Sequence, residues 1–94
     1  MVLLHGFTGS VERWTVDTAI FQDLQKDYRV IAFDSRGNGK SGKPHDPKAY
    51  GVEMARDALR LLDHLKIHKA HFVGFSFGGN VVAKLLTTNP DRFI

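Results

Sequence analysis

An α/β fold organised on a parallel sheet is the class this sequence predicts, and two observations carry the prediction. Short apolar runs of strand length alternate with segments of helical periodicity, and each run ends in a polar, glycine-rich turn. Such alternation argues for parallel strands joined by right-handed crossovers, with helices covering both faces. In order, "MVLL" (1–4) reads as the first strand, and residues 12–25 place Trp14, Ile20, Phe21 and Leu24 on roughly one side of a helix. "YRVIAF" (28–33) is the second strand, rich in β-branched and aromatic residues. The stretch 34–50 holds Gly37, Gly39, Gly42, Pro44 and Pro47, too many breakers for a helix, and reads as a loop. Residues 52–65 carry Ala55, Leu59, Leu62 and Leu65 at three- and four-residue steps, a second amphipathic helix. "AHFVGF" (70–75) is the third strand; residues 80–88 form a third helix with Val81, Val82, Leu85 and Leu86, ended by Pro90.

Composition narrows the function classes. Ninety-four residues make one domain with a core near the lower limit of what folds unaided, and 43% hydrophobic with 24% charged residues is the balance of an ordinary globular chain. The net charge of +3 comes from basic residues spread from Arg13 to Arg92, not from one periodic face, so no nucleic-acid partner is expected. The absence of cysteine removes disulfides, thiolate metal sites and a cysteine nucleophile. No apolar run approaches the roughly 18 residues of a membrane span, so no membrane association is expected. The first residues show no basic leader or cleavage site; no targeting segment is expected, and the expected location is cytoplasmic.

Two motifs compete for the chemistry at the strand ends, where ligands of open α/β sheets gather. In "GNGKSG" (37–42), Gly39-Lys40-Ser41 resembles the end of a phosphate-binding loop. The first glycine of that pattern falls on Asp34, whose carboxylate repels phosphate, and Gly42-Lys43-Pro44 opens no helix. The competing "GFSFG" (74–78) holds Ser76 between two glycines where a strand gives way to a helix. A tight strand-to-helix turn pushes such a serine into the open and crowds the residues two before and two after it, which is why Gly74 and Gly78 must be small. The helix behind it directs amide groups and the positive end of its dipole at the serine.

Together, "LLHGFTGS" followed by Trp14, "VIAFDSRGNGKS" and "VGFSFGG" resemble, in order and spacing, the successive signatures of the α/β-hydrolase superfamily in its esterase- and lipase-like branch. The likeness covers essentially the whole chain. It implies that Ser76 is the nucleophile and that the backbone N–H groups of Phe7 and Phe77 form an oxyanion hole. His5, Gly6, Gly74, Gly78 and Gly79 would support the turns. It further implies the strand order 2-1-3, the elbow and the "HGF" turn becoming neighbours. Serine at position 76 is closer to hydrolases of esters, thioesters or carbon–carbon bonds than to the family's dehalogenases and epoxide hydrolases, which carry aspartate there. The implied partner is a small-molecule acyl substrate, with no cofactor and no metal.

One departure matters. The family's order is Ser, then Asp or Glu, then His. After Ser76 this chain has Asp91 and no histidine, since His5, His45, His64, His68 and His71 all precede it. The resemblance therefore implies that residues 1–94 are a partial α/β-hydrolase domain lacking the later strands that carry acid and base, within a protein of about 250–300 residues. The isolated chain is then expected to be inactive. The alternative is a non-catalytic, truncated or degenerate module that binds acyl compounds or associates with itself through open sheet edges. His5 is the nearest candidate base, though its likeness is to the residue that shapes the oxyanion turn. His64 and His68 stand four apart without the third ligand a metal needs. Asp34 and Arg36 are expected to pin the long loop, and Trp14 to lie in the core or line the pocket.

Overall fold

A computed structural model describes all 94 residues, Met1–Ile94. Three parallel strands, β1 (Val2–Leu4), β2 (Ile31–Ala32) and β3 (Phe72–Gly74), form one sheet in the order β2-β1-β3. The register pairs Val2 with Ile31 and Phe72, Leu3 with Ala32 and Val73, and Leu4 with Gly74. The central strand is the most apolar, and all three of its residues are buried. The strands are shorter than the apolar runs. Tyr28 to Val30 and Ala70 to His71 stay outside because β1 offers only three residues to pair with.

The crossovers explain the layers. From β1 the chain moves to one side to reach β2, and from β2 it crosses back over β1 to reach β3. Right-handed connections running in opposite directions put their helices on opposite faces. The first carries α1 (Glu12–Thr15) and α2 (Ile20–Leu24), and the second carries α3 (Val52–His64). α4 (Phe77–Thr88) follows β3 and packs on α3. Val2 and Leu4 point to one face, where Ala55, Ala58 and Leu62 of α3 meet Val81 and Leu85 of α4 in a single core. Leu3 points to the other face and is likewise fully buried. Each buried leucine contributes about 2 kcal/mol. No helix is long and apolar enough to cross a membrane.

The helix expected over 12–25 is broken. α1 ends at Thr15, and Thr18 turns its hydroxyl back to the carbonyls of Arg13 (3.1 Å) and Trp14 (3.4 Å), competing with helical pairing. Only Trp14 of the expected apolar face is buried; Ile20 is exposed. In the other direction, α4 begins three residues before the expected position 80, directly behind Ser76. Phe93 bridges in parallel to Ala70, and the Arg92 side chain ties this segment to the carbonyls of His68 and Ile67 and to Asp63. This pairing lies just upstream of β3, two residues before Phe72.

Candidate active site

Ser76 is the residue between β3 and α4, with φ 53° and ψ −113°, a left-handed backbone that a non-glycine residue adopts at a cost of about 1–3 kcal/mol. The strain is maintained by packing on either side. A Cβ placed on Gly74 would run into the backbone of Gly78 and Gly79; one placed on Gly78 would run into the carbonyl of Leu4 and stand 2.7 Å from that of His5. Any side chain at either position would push α4 off the sheet. Gly79 differs: its Cβ would lie 3.5 Å from the nearest atom, an ordinary contact, so the turn does not demand glycine there.

This geometry exposes the serine. Its side chain makes no capping hydrogen bond to α4. Phe77 opens the helix, so its N–H belongs to the first turn and has no intrahelical acceptor. The "HGF" turn stands alongside. The Phe75 N–H donates to the Leu4 carbonyl (3.0 Å), a Cβ on Gly6 would lie 3.1 Å from the Phe75 ring, and the Phe7 and Phe77 rings meet edge to face at 6.3 Å. The backbone N–H of Phe7 donates to no backbone acceptor. The structure thus brings Phe7, Ser76 and Phe77 to the same end of the sheet, where the N–H groups of Phe7 and Phe77 and the Ser76 hydroxyl have no hydrogen-bond partner.

His5 is buried and committed elsewhere. Its Nε2 accepts from the Ser35 N–H (3.0 Å), so the ring proton lies on Nδ1 and points at the Gly6 carbonyl (2.8 Å). Both ring nitrogens bind backbone, and the ring braces the turn that carries Phe7; it is no base for Ser76. Asp34 ties the same turn to the long loop, its carboxylate accepting from the N–H of Val11 (2.7 Å) and of Lys40 (2.8 Å). Gly39, at φ 50°, has no room for a Cβ because that carboxylate fills the space. Arg36 forks onto both oxygens of Asp57 (2.6 and 2.7 Å) and reaches the Ala49 carbonyl. Trp14 lies in the interior with its indole N–H unpaired, and lines none of the main cavities.

Burial pushes the Asp34 carboxyl up, but the N–H groups of Lys40 and Val11 outweigh it and hold it below the ordinary carboxylate value. Asp57 behaves likewise, burial opposed by Arg36 and Arg60. A carboxylate whose folded value lies below its unfolded one stabilises the fold above the unfolded value, and that stability is lost as pH falls through the folded one. The thermal midpoint should therefore decline as pH drops below about 4. Asp34→Asn should cost about 2 kcal/mol at neutral pH, because an amide cannot accept both N–H groups, and should flatten the acid decline. Calorimetry of both proteins between pH 2 and 7 checks this; equal midpoints at pH 7 would contradict the clamp.

The family model for the alpha/beta hydrolase fold matches residues 1–93. The chain belongs to the α/β-hydrolase fold family. Among curated relatives of this α/β-hydrolase, Esterase YbfF of Escherichia coli (strain K12) is 38% identical, the match covering 98% of this chain and 34% of the esterase. The 3-oxoadipate enol-lactonase 2 of Acinetobacter baylyi is 39% identical, over 99% of this chain and 33% of the lactonase. The crystal structure of a hydrolase from Pseudomonas aeruginosa PA01 superposes with a TM-score of 0.88 at 32% identity, covering 98% of this chain and 33% of that one. The chain thus spans about a third of the length of the relatives it matches.

One contact had no signal in the sequence. The Arg13 guanidinium stacks 4.5 Å from the centre of the Phe75 ring, beside the Ser76 turn of this α/β-hydrolase. Nothing in the spacing of two residues so far apart announces the pair.

Proposed function

We propose that the α/β-hydrolase to which these residues belong cleaves carboxylic esters or closely related acyl compounds, with Ser76 as nucleophile. The observation that carries this reading is the serine itself: a strained, exposed hydroxyl without a capping partner at the start of a helix, at the same end of the sheet as the unpaired amides of Phe7 and Phe77. Relatives named an esterase and an enol-lactonase support it, a lactone being a cyclic ester. As a base takes its proton, Ser76 Oγ bonds to the acyl carbon and the carbonyl electron pair moves to oxygen, where the two N–H groups hold the charge. Collapse expels the alcohol, which takes the proton from the base. Water then repeats the sequence, releasing the acid and restoring the serine.

None of the five histidines pairs with Ser76, and His5 is bound at both nitrogens. A general base is worth about 100- to 10,000-fold in rate, so the 94-residue chain should turn over an activated aryl ester barely above background. Substantial turnover by the purified chain, lost in Ser76→Ala, would show that a base lies among these residues after all.

A second reading, a binding module without catalysis, draws on the open sheet edges. β2 pairs on one side only, and Val73 on β3 is 38% exposed at the opposite edge. Unpaired strand edges template association, so the chain should sediment as oligomers at micromolar concentration; a strictly monomeric species with a sharp calorimetric melt would count against it.

A further inference from the structure

We propose that Ser41 is a positioning residue for acyl cleavage, its hydroxyl heading a one-directional chain of hydrogen bonds that ends at the Phe7 N–H. This role deepens the reading of Ser76 as nucleophile and rests on it for what the Phe7 N–H does. A peptide unit is planar, and its carbonyl and N–H point in opposite directions. The Ser41 hydroxyl donates to the Asp34 carbonyl. The other end of that peptide unit is the Ser35 N–H, which donates to Nε2 of His5 (3.0 Å). An imidazole that accepts at Nε2 carries its proton on Nδ1, and Nδ1 stands 2.8 Å from the Gly6 carbonyl. The other end of the Gly6–Phe7 peptide unit is the Phe7 N–H, which donates to no backbone acceptor.

Every donor in this series points the same way, from Ser41 toward Phe7. Aligned hydrogen bonds polarise one another, each strengthening the next by about 10–30%. The link in the middle is dry: the His5 ring is 2% exposed, so water does not compete for its nitrogens. The Gly6 carbonyl also accepts the Gly9 N–H (3.0 Å), a second hold on the plane of the Gly6–Phe7 unit. The Phe7 N–H is therefore oriented, and made a stronger donor to a negatively charged oxygen, before any substrate arrives. The opposite tautomer of His5 would set its Nε2–H against the Ser35 N–H and turn the lone pair of Nδ1 toward the Gly6 carbonyl, so the proton's place on the ring fixes the direction of the whole chain. Ser41 itself acts only through these groups.

The test is made in the longer polypeptide that supplies base and acid, with Ser41→Ala, Ser41→Cys and Ser41→Thr compared by hydrolysis of 4-nitrophenyl acetate and by the NMR shifts of the His5 ring nitrogens and the Ser35 and Phe7 amides. Ser41→Ala should lower kcat about fivefold at unchanged KM, because a donor to the transition state weakens while substrate binding does not. The Ser35 and Phe7 amide protons should move upfield together. Ser41→Thr returns a hydroxyl and should restore kcat and both shifts, and Ser41→Cys, a weaker donor, should fall between. A serine that only pins the loop would lower the thermal midpoint in Ser41→Ala and leave kcat and the Phe7 shift where they were; that result, or a His5 ring protonated on Nε2, overturns the proposal. Hydrolysis abolished by Ser76→Ala but unmoved by Ser41→Ala rejects the chain and keeps the nucleophile. Hydrolysis surviving Ser76→Ala, with the Phe7 amide shifted in Ser41→Ala, rejects the nucleophile and keeps the chain.

Discussion

Gly78→Val should cost at least about 3 kcal/mol and lower the thermal midpoint by about 12 °C or more. The first atom of the new side chain would occupy the place of the Leu4 carbonyl oxygen. That oxygen is not free to retreat, because it accepts the Phe75 N–H and lies on the central strand, paired on both sides. The helix must then lift away, and Val81 and Leu85 lose their packing against Val2 and Leu4. Gly79→Ala is the control. Its Cβ meets only an ordinary contact, and an alanine inside a helix gains about 1 kcal/mol over glycine. Opposite signs for neighbouring glycines, read by calorimetry on the same day, would separate close packing from a general preference for glycine. If both variants melt with the wild type, α4 does not sit against β1 as described.

Ser76→Ala, made in the polypeptide that supplies base and acid, should reduce ester hydrolysis by about 10,000-fold or more, with the fold intact. The two side chains differ by one oxygen at an exposed position that makes no capping bond. Ser76→Gly should abolish turnover equally and yet stabilise by up to about 1 kcal/mol, since glycine adopts φ 53° without strain. A stability gained where activity is lost would mark the turn as held open for chemistry. Hydrolysis surviving both substitutions within tenfold of wild type would reject Ser76 as the nucleophile.

How much of this was legible beforehand depended on range. The three strands, the loop of 34–50, and the serine between a strand and a helix follow from composition and spacing over a few residues, because strand and turn preferences are properties of near neighbours. The strand order came from the likeness of motif order to a known family. The long first helix was misread because Trp14, Ile20, Phe21 and Leu24 keep a helical period on paper, while the Thr18 hydroxyl takes the carbonyls that would carry the helix onward. Gly79 stands with the turn glycines in the sequence, and only the structure shows that a Cβ there would meet the Gly74 carbonyl at an ordinary 3.5 Å.

The sequence by itself determined which segments could be strands and helices, and where a turn had to be small enough to hold a serine out. Only the tertiary structure decided what His5, Asp34 and Arg13 do. Each acts on a group far away in the chain: the Ser35 amide for His5, the Val11 amide for Asp34, the Phe75 ring for Arg13. A hydrogen-bonding or cationic side chain has many possible partners in sequence, and the one it meets is fixed when β1 takes its place between β2 and β3 and draws their loops to the same edge.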